Sequence, residues 1–436
     1  MTPAPEALPL FVDGSRLIAD LEHLGRFGVN SEGGIDRASF SPADGQAREW
    51  LTGRCEEAGL RVEVDGIGNM LVSSPESESE SESGIAGLAP VWTGSHIDAV
   101  PNGGRFDGPV GVLASLECLR RLHEERVPLR RPVRVIVYAD EEGNYAHLLG
   151  SSAISRGIAM EDLARIVGRD GDRFSDTFAA AGGDLAAAAR VRWRPGSVHA
   201  SVELHIEQGP VLEQRGVQIG VVTGIVAIGG GTVRFLGRAD HAGTTPMHGR
   251  KDAAVAAAEF ILALPDIAAD AGDTAVVTTG IIRAEPGGSN VIAGAAEVVV
   301  DFRDPSLDTA TMLESHITAA ASDVARRRGL EVSVQWEEIV PGARMDDGVR
   351  SAITATADSL GFSAMDIPSG AGHDSQNMST LGPTGMIFVP SVGGRSHSPA
   401  ERTAAPDTVR GANVLLGTLI RLATREERYE NGGTPA

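Results

Sequence analysis

Cysteine is nearly absent from this chain. Its 436 residues include only Cys55 and Cys118, too few for a disulfide framework. Cys118 falls within an apolar helical pattern and reads as core. Aromatic residues are scarce as well, at 4%. No apolar run approaches the ~18 residues needed to cross a bilayer. Positive charge is in deficit: 38 Lys and Arg against 59 Asp and Glu leave a net charge of −21. That balance argues against a nucleic acid or an anionic membrane as partner. The opening residues Met1-Thr2-Pro3-Ala4-Pro5-Glu6 carry neither a basic nor an apolar stretch. No secretory signal is therefore expected, and a cytoplasmic location is.

Glycine is plentiful, at 54 residues, which suits a loop-rich α/β enzyme, and the length allows two domains. The most informative stretch runs from Gly94 to Gly108. It carries His96, Asp98 and Asp107 among small, turn-forming residues. A short apolar segment, 89–93, precedes it and predicts a strand. Val112, Leu113, Leu116, Leu119 and Leu122 follow at helical spacing. Glycine-rich loops between a strand and a helix are where α/β proteins place ligand groups. A second acidic loop, Asp140-Glu141-Glu142-Gly143, follows the strand-like Val133–Val137. Parallel strands in one sheet would bring both acidic loops to the same edge, where a cation would balance them. His205 lies on an alternating strand pattern at 202–208, and His397 follows the apolar strand and glycine turn of 389–395. Histidines and carboxylates in this number suit two first-row divalent ions. Zinc fits best, with manganese, cobalt and nickel as alternatives. Such a pair activates water and polarises a carbonyl.

The Ser/Glu run at 73–83 reads as a disordered, hairpin-like insertion between two strands. Residues 169–197 read as outer helices. From about 222 the order becomes strand (232–235), helix (252–264), two strands (274–279 and 296–302), helix (307–328) and strand (330–336). That β-α-β-β-α-β order is the signature of a ferredoxin-like domain. It interrupts the larger domain, because His205 precedes it and His397 follows it. The expected organisation is a mixed sheet flanked by helices over 1–221 and 337–436, with a lid and dimerisation domain over 222–336.

Several segments, in this order, resemble one family. They are Gly94-Ser-His-Ile-Asp-Ala, Gly103-Gly-Arg-Phe-Asp-Gly, Asp140-Glu-Glu-Gly, Glu203-Leu-His-Ile-Glu-Gln-Gly-Pro, His241-Ala-Gly-Thr-Thr-Pro-Met, Asn290-Val-Ile, Asp301-Phe-Arg, Gly370-Ala-Gly-His-Asp and Ser396-His-Ser-Pro-Ala-Glu401. Together they resemble the zinc amidohydrolases of the aminoacylase/carboxypeptidase superfamily. The branch is that of N-carbamoyl-L-amino-acid hydrolases and of allantoate and ureidoglycolate amidohydrolases. The resemblance implies that His96 and His205 hold one cation, that Glu142 and His397 hold the other, and that Asp107 bridges them. It implies Glu141 as general base and His241 as the residue reaching the scissile carbonyl across a homodimer interface. It also implies Asn290 and Arg303 as substrate-binding residues, with Gln208 and His373 lining the pocket. Asp98, two residues after His96, can orient that histidine from behind. His123, His147, His199, His248 and His316 read as surface or local residues.

Three departures from the family bear on the pocket. Residues 144–151 form a shorter loop. Gly229-Gly230-Gly231 stands where an arginine-containing segment is usual, and Ala293 stands where proline is usual. The resemblance implies hydrolysis of a ureido C–N bond, most simply in an N-carbamoyl-L-amino acid. Allantoate or ureidoglycolate hydrolysis, and aminoacylase or dipeptidase activity, are the alternatives within the enzymes. A non-catalytic binding relative is the alternative outside them.

Overall fold

In chain order the strands are β1 (Arg61–Val64), β2 (Met70–Ser73), β3 (Val91–His96), β4 (Val133–Tyr138), β5 (Ala200–Ile206), β6 (Ile219–Ile225), β7 (Ala227–Leu236), β8 (Val276–Glu285), β9 (Ala295–Asp304), β10 (Glu331–Trp336), β11 (Ala343–Arg344), β12 (Ala364–Ser369) and β13 (Thr384–Val389). The computed structural model describes residues 10–75 and 88–424. The chain divides into two compact units. Of the described residues, one comprises those up to 223 with 344–367 and those from 373 on; the other comprises 224–343 and 368–372.

The sheet of the first unit runs β1-β2-β4-β3-β5-β13-β6-β11, with β12 paired to β6. Its centre, β4-β3-β5-β13, is parallel throughout. These strands are apolar and buried along nearly their whole length, the pattern of parallel strands covered on both faces. Alternation divides their side chains between two cores. Val91, Val133, Val135, Val137, Val202 and Leu204 join the helices Pro109–Glu124 and Ala405–Thr424. Trp92, Ile136 and Tyr138 face the other way, toward Ile154 and Met378. On β5 that second face carries Ser201, Glu203 and His205, because successive strand residues point to opposite faces. All four parallel strands end at one edge. The chain leaves β3 for β4 on one side and β5 lies on the other, so the edge contains a topological switch point.

The expected hairpin around the Ser/Glu run is corrected by this topology. β2 and β3 do not pair, because β4 lies between them. Residues 76–83 of the run themselves lie outside the described residues.

In the second unit the order is β7, helix Ala253–Ala271, β8, β9, helix Leu307–Arg328, β10. The strands form an antiparallel sheet of order β10-β7-β9-β8. Alternate residues of β7 and β9 are buried, so one face meets the two helices through Val233, Phe235, Phe260, Val298, Phe302, Leu313 and Ile317. Residues 368–372 join this unit, where Val226 N donates to Ser369 O and Arg303 Nη1 to Gly370 O. β7 continues through the three glycines. A side chain at Gly229 would overlap the Phe302 ring, and one at Gly231 would overlap Trp336. The departure from the family at this stretch thus matches a close approach of two aromatic rings.

Candidate metal centre

His96 is the last residue of β3, and Asp107 closes the loop that enters the helix Pro109–Glu124. Glu141 and Glu142 follow β4, His205 lies on β5, and His397 follows β13. Shared strand direction brings these remote segments together. Gly108 permits the closest approach. Its φ is +79°, and a Cβ there would overlap the His96 ring.

Asp107 lies at the centre. Its Oδ1 is 3.6 Å from His96 Nε2 and 3.2 Å from His205 Nε2. Its Oδ2 is 3.3 Å from His397 Nε2. Glu142 Oε2 is 3.5 Å from the same nitrogen. Besides Glu203–His205–His373, two candidate ligand groups result among the described residues, His96–Asp107–His205 and Asp107–Glu142–His397. They share Asp107, one oxygen facing each histidine set.

The other ring nitrogens are already engaged. His205 Nδ1 lies 2.9 Å from the Ile206 carbonyl, which accepts its proton and leaves Nε2 as an acceptor, met by the Gly108 backbone N–H at 3.3 Å. His96 Nδ1 lies 3.1 Å from the Asp98 carbonyl and 3.4 Å from Asp98 Oδ1. The Asp98 carboxylate also accepts from the backbone N–H groups of Glu141 and Glu142 at 3.4 and 3.2 Å. Asp98 therefore braces His96 and the second acidic loop together, the arrangement common behind metal-binding histidines.

Charge in the cluster is unbalanced. Asp98, Asp107, Asp140 and Glu141 are all buried. Arg37, near Asp98, commits its guanidinium to the carbonyls of Leu24, Phe27 and Ile97. Burial, reinforced by the charge of Asp107, pushes Glu142 up to about 7. Burial, with Glu142 and Asp374 nearby, holds Glu141 well above the carboxylate range. Hydrogen bonding to Asp107 pushes His397 up to about 9. His96 is raised well above an ordinary histidine: burial opposes this, but Glu141, Asp107 and Asp98 outweigh it. Asp107 is driven the other way by His205, His397 and His96, against its burial. Unpaired buried carboxylates are strongly disfavoured. Oxygen and imidazole donors around such a deficit suit divalent cations.

Gln208 joins the cluster, with φ +60° and Nε2 donating to Asp107 Oδ2 at 2.6 Å. His373 is buried, its ring 4.5 Å from that of His205. Burial, then the charge of His205, holds it well below the usual histidine value. The remaining expected residues belong to the second unit. His241 is exposed, and its Nδ1 accepts from the backbone N–H groups of Gly243 and Thr244 at 3.0 and 3.3 Å. Asn290 is beside it, its carbonyl accepting from Ala242 N. Arg303 pairs with Asp301, Nε to Oδ1 at 2.9 Å.

The short loop after Glu142 wraps around Asp140, whose carboxylate accepts from the backbone of Asn144, Tyr145 and Ala146. His147 Nδ1 meets the Glu141 carbonyl at 2.9 Å. His199 is buried beside β5, where its backbone N–H donates to the Pro90 carbonyl. Two carboxylates received no role from the sequence reading. Glu203 joins Ser95 Oγ at 2.8 Å and Ser375 Oγ at 2.7 Å. Glu401 accepts from the loops of Asp107 and His397. Strand alternation carried the first signal, since Glu203 shares a face with His205.

The profile of Peptidase family M20/M25/M40 matches residues 92–421. An N-carbamoyl-L-amino acid amidohydrolase of Geobacillus stearothermophilus is 35% identical over 430 residues, covering 95% of this chain and 100% of that protein. A ureidoglycolate hydrolase of Oryza sativa subsp. japonica is 34% identical over 430 residues, covering 95% and 86%. The crystal structure of a hydantoinase/carbamoylase family amidase from Burkholderia multivorans matches with a TM-score of 0.84 at 32% identity, covering 95% of this chain and 99% of that one. With its profile match, its long alignments and its fold in agreement, the chain belongs to Peptidase family M20/M25/M40, as an amidohydrolase of the hydantoinase/carbamoylase group.

Proposed function

We propose that this protein hydrolyses the ureido C–N bond of an N-carbamoyl-L-amino acid, giving the amino acid, carbon dioxide and ammonia. The observation that carries this reading is the Asp107 carboxylate, with one oxygen toward His96 and His205 and the other toward His397. Similarity to the Geobacillus stearothermophilus amidohydrolase supports the substrate class. His96, His205 and Asp107 would hold one divalent cation, and Asp107, Glu142 and His397 a second, with zinc favoured and manganese, cobalt and nickel as alternatives. When bound, such cations polarise the ureido carbonyl and lower the pKa of water.

Glu141 accepts the proton of the attacking water at its carboxylate and delivers it to the leaving nitrogen. Gln208 and His373 line the pocket. Arg303, whose guanidinium is held by Asp301 and the Gly370 carbonyl, would exchange Asp301 for the substrate carboxylate, with Asn290 as a further contact. A panel of N-carbamoyl-L-amino acids, ureidoglycolate, allantoate and N-acetyl amino acids, scored for amine and ammonia release, tests the reading. Release of both from N-carbamoyl amino acids is expected. Turnover confined to N-acetyl amino acids would overturn it. Turnover confined to ureidoglycolate, the substrate named for the Oryza sativa relative, or to allantoate would move the assignment to that alternative.

The second unit would act as a ferredoxin-like lid and as the contact of a cytoplasmic homodimer. The backbone N–H groups aimed at His241 Nδ1 place the ring proton on Nε2. In the dimer, the partner subunit's His241 would donate that proton to the developing oxyanion. Mixing inactive His241→Ala protein with inactive Glu141→Gln protein should then recover part of the activity, because some heterodimers hold one intact composite site. No recovery after verified subunit exchange would place His241 outside the neighbouring site.

A further inference from the structure

Glu401 lies five residues beyond Ser396 and is 5% exposed. Its oxygens are divided between two loops. Oε1 accepts from the backbone N–H groups of Phe106 at 2.8 Å and Asp107 at 3.0 Å. Oε2 accepts from Ser396 Oγ at 2.8 Å and from the backbone N–H of His397 at 3.3 Å. Ser396 Oγ also lies 2.7 Å from Asp107 Oδ2. One buried carboxylate thus ties the loop before the Pro109–Glu124 helix to the loop after β13.

Two backbone features depend on this tie. His397 has φ +53°, a left-handed conformation uncommon for a residue with a side chain and retained where the surroundings enforce it. Gly104 passes so close that a Cβ there would overlap the Glu401 carboxylate. The cradle therefore excludes a side chain at 104 and receives the carboxylate instead. Without Glu401, three backbone N–H groups would lose their acceptor. The separation between Asp107 Oδ2 and His397 Nε2, now 3.3 Å, would lose its brace. Apart from the shared Asp107, the other ligand group is held differently. His205 is fixed by the Ile206 carbonyl, and His96 by Asp98.

We infer that Glu401 is a positioning residue for one cation position only, because its carboxylate holds the Asp107 and His397 backbones in register for the Asp107–Glu142–His397 group. The inference rests on the two-cation reading given above. Loss of Glu401 leaves the His96–Asp107–His205 position occupied and weakens the other by about 10–100-fold, the usual effect of removing a group that orients a metal ligand.

The test is zinc titration of chelator-stripped full-length protein, with bound metal counted by elemental analysis and metal-free melting followed in parallel. Wild type, Glu401→Gln and His397→Ala are compared. Glutamine keeps the length but turns an NH₂ toward donors. Two zinc ions per chain are expected for wild type at micromolar metal. One tight and one weakened ion are expected for Glu401→Gln, with metal-free melting near wild type and activity recovering at high zinc. His397→Ala should lose the same ion. If His397→Ala leaves the stoichiometry unchanged, the two-cation reading fails. If His397→Ala loses the ion and Glu401→Gln keeps both with wild-type affinity, the role of Glu401 fails. Loss of both ions in Glu401→Gln would make it a general structural residue and also overturn the inference. Should Glu401→Gln not fold, Gly104→Ala displaces the same carboxylate with one methyl group and is held to the same outcomes.

Discussion

Exhaustive chelation is expected to abolish amide hydrolysis, and Zn²⁺, Mn²⁺, Co²⁺ or Ni²⁺ should restore it. The reason is the charge deficit at one sheet edge. Asp98, Asp107, Asp140 and Glu141 are all buried there, and the imidazoles beside Asp107 and Glu141 must give up their protons to act as ligands. Protons take the place of a cation when none is bound. Glu142 is held at about 7 and His397 at about 9. Metal uptake near neutral pH should therefore release protons into a weakly buffered solution. Affinity should fall as the pH is lowered, since raised pKa values mean that ligand protonation is already advancing near pH 7. Full turnover by protein verified as metal-free would end this reading. Uptake without proton release would show that the ligands are already deprotonated.

Glu141→Gln should lower kcat by about 10² or more, equivalent to about 2.7 kcal/mol of barrier, while metal content stays near that of the wild type. Adjacent carboxylates make this a sharp distinction. Glu142 Oε2 belongs to the group with Asp107 and His397, whereas Glu141 is in none of the candidate ligand groups among the described residues. Glu141 Oε2 is nonetheless 3.6 Å from His96 Nε2, so it is beside the reaction without being held to an ion. Burial keeps its proton affinity high, which suits a group that must take a proton and pass it on. Glutamine preserves the shape and removes that capacity. Loss of metal together with activity would make Glu141 a ligand and reassign Glu142.

Much of the site was legible because its signals are local. His96 ends a short apolar strand, and Asp107, Glu142 and His397 lie in the glycine-containing loops that follow such strands. The continuous apolar stretches also marked parallel, doubly covered strands. Elements were less well bounded where tertiary contacts overrode local preference. The helix expected to end at Leu264, before Pro265, continues to Ala271, because Ile267, Ala268 and Ala271 extend its buried face. β7 runs through Gly229-Gly230-Gly231 because Phe302 and Trp336 fill the space that side chains would need.

The sequence alone determined which residue types meet at the sheet edge, and that strand ends present them, since both follow from short motifs and periodicity. Only the tertiary structure decided which side of Asp107 faces which histidines, that β4 separates β2 from β3, and that Glu203 and Glu401 brace the centre. Those facts depend on hydrogen bonds between segments far apart in the chain, such as Glu401 with Phe106. A carboxylate that accepts from a remote backbone leaves no periodicity in its own neighbourhood, so its role emerges only when the sheet brings the two loops together.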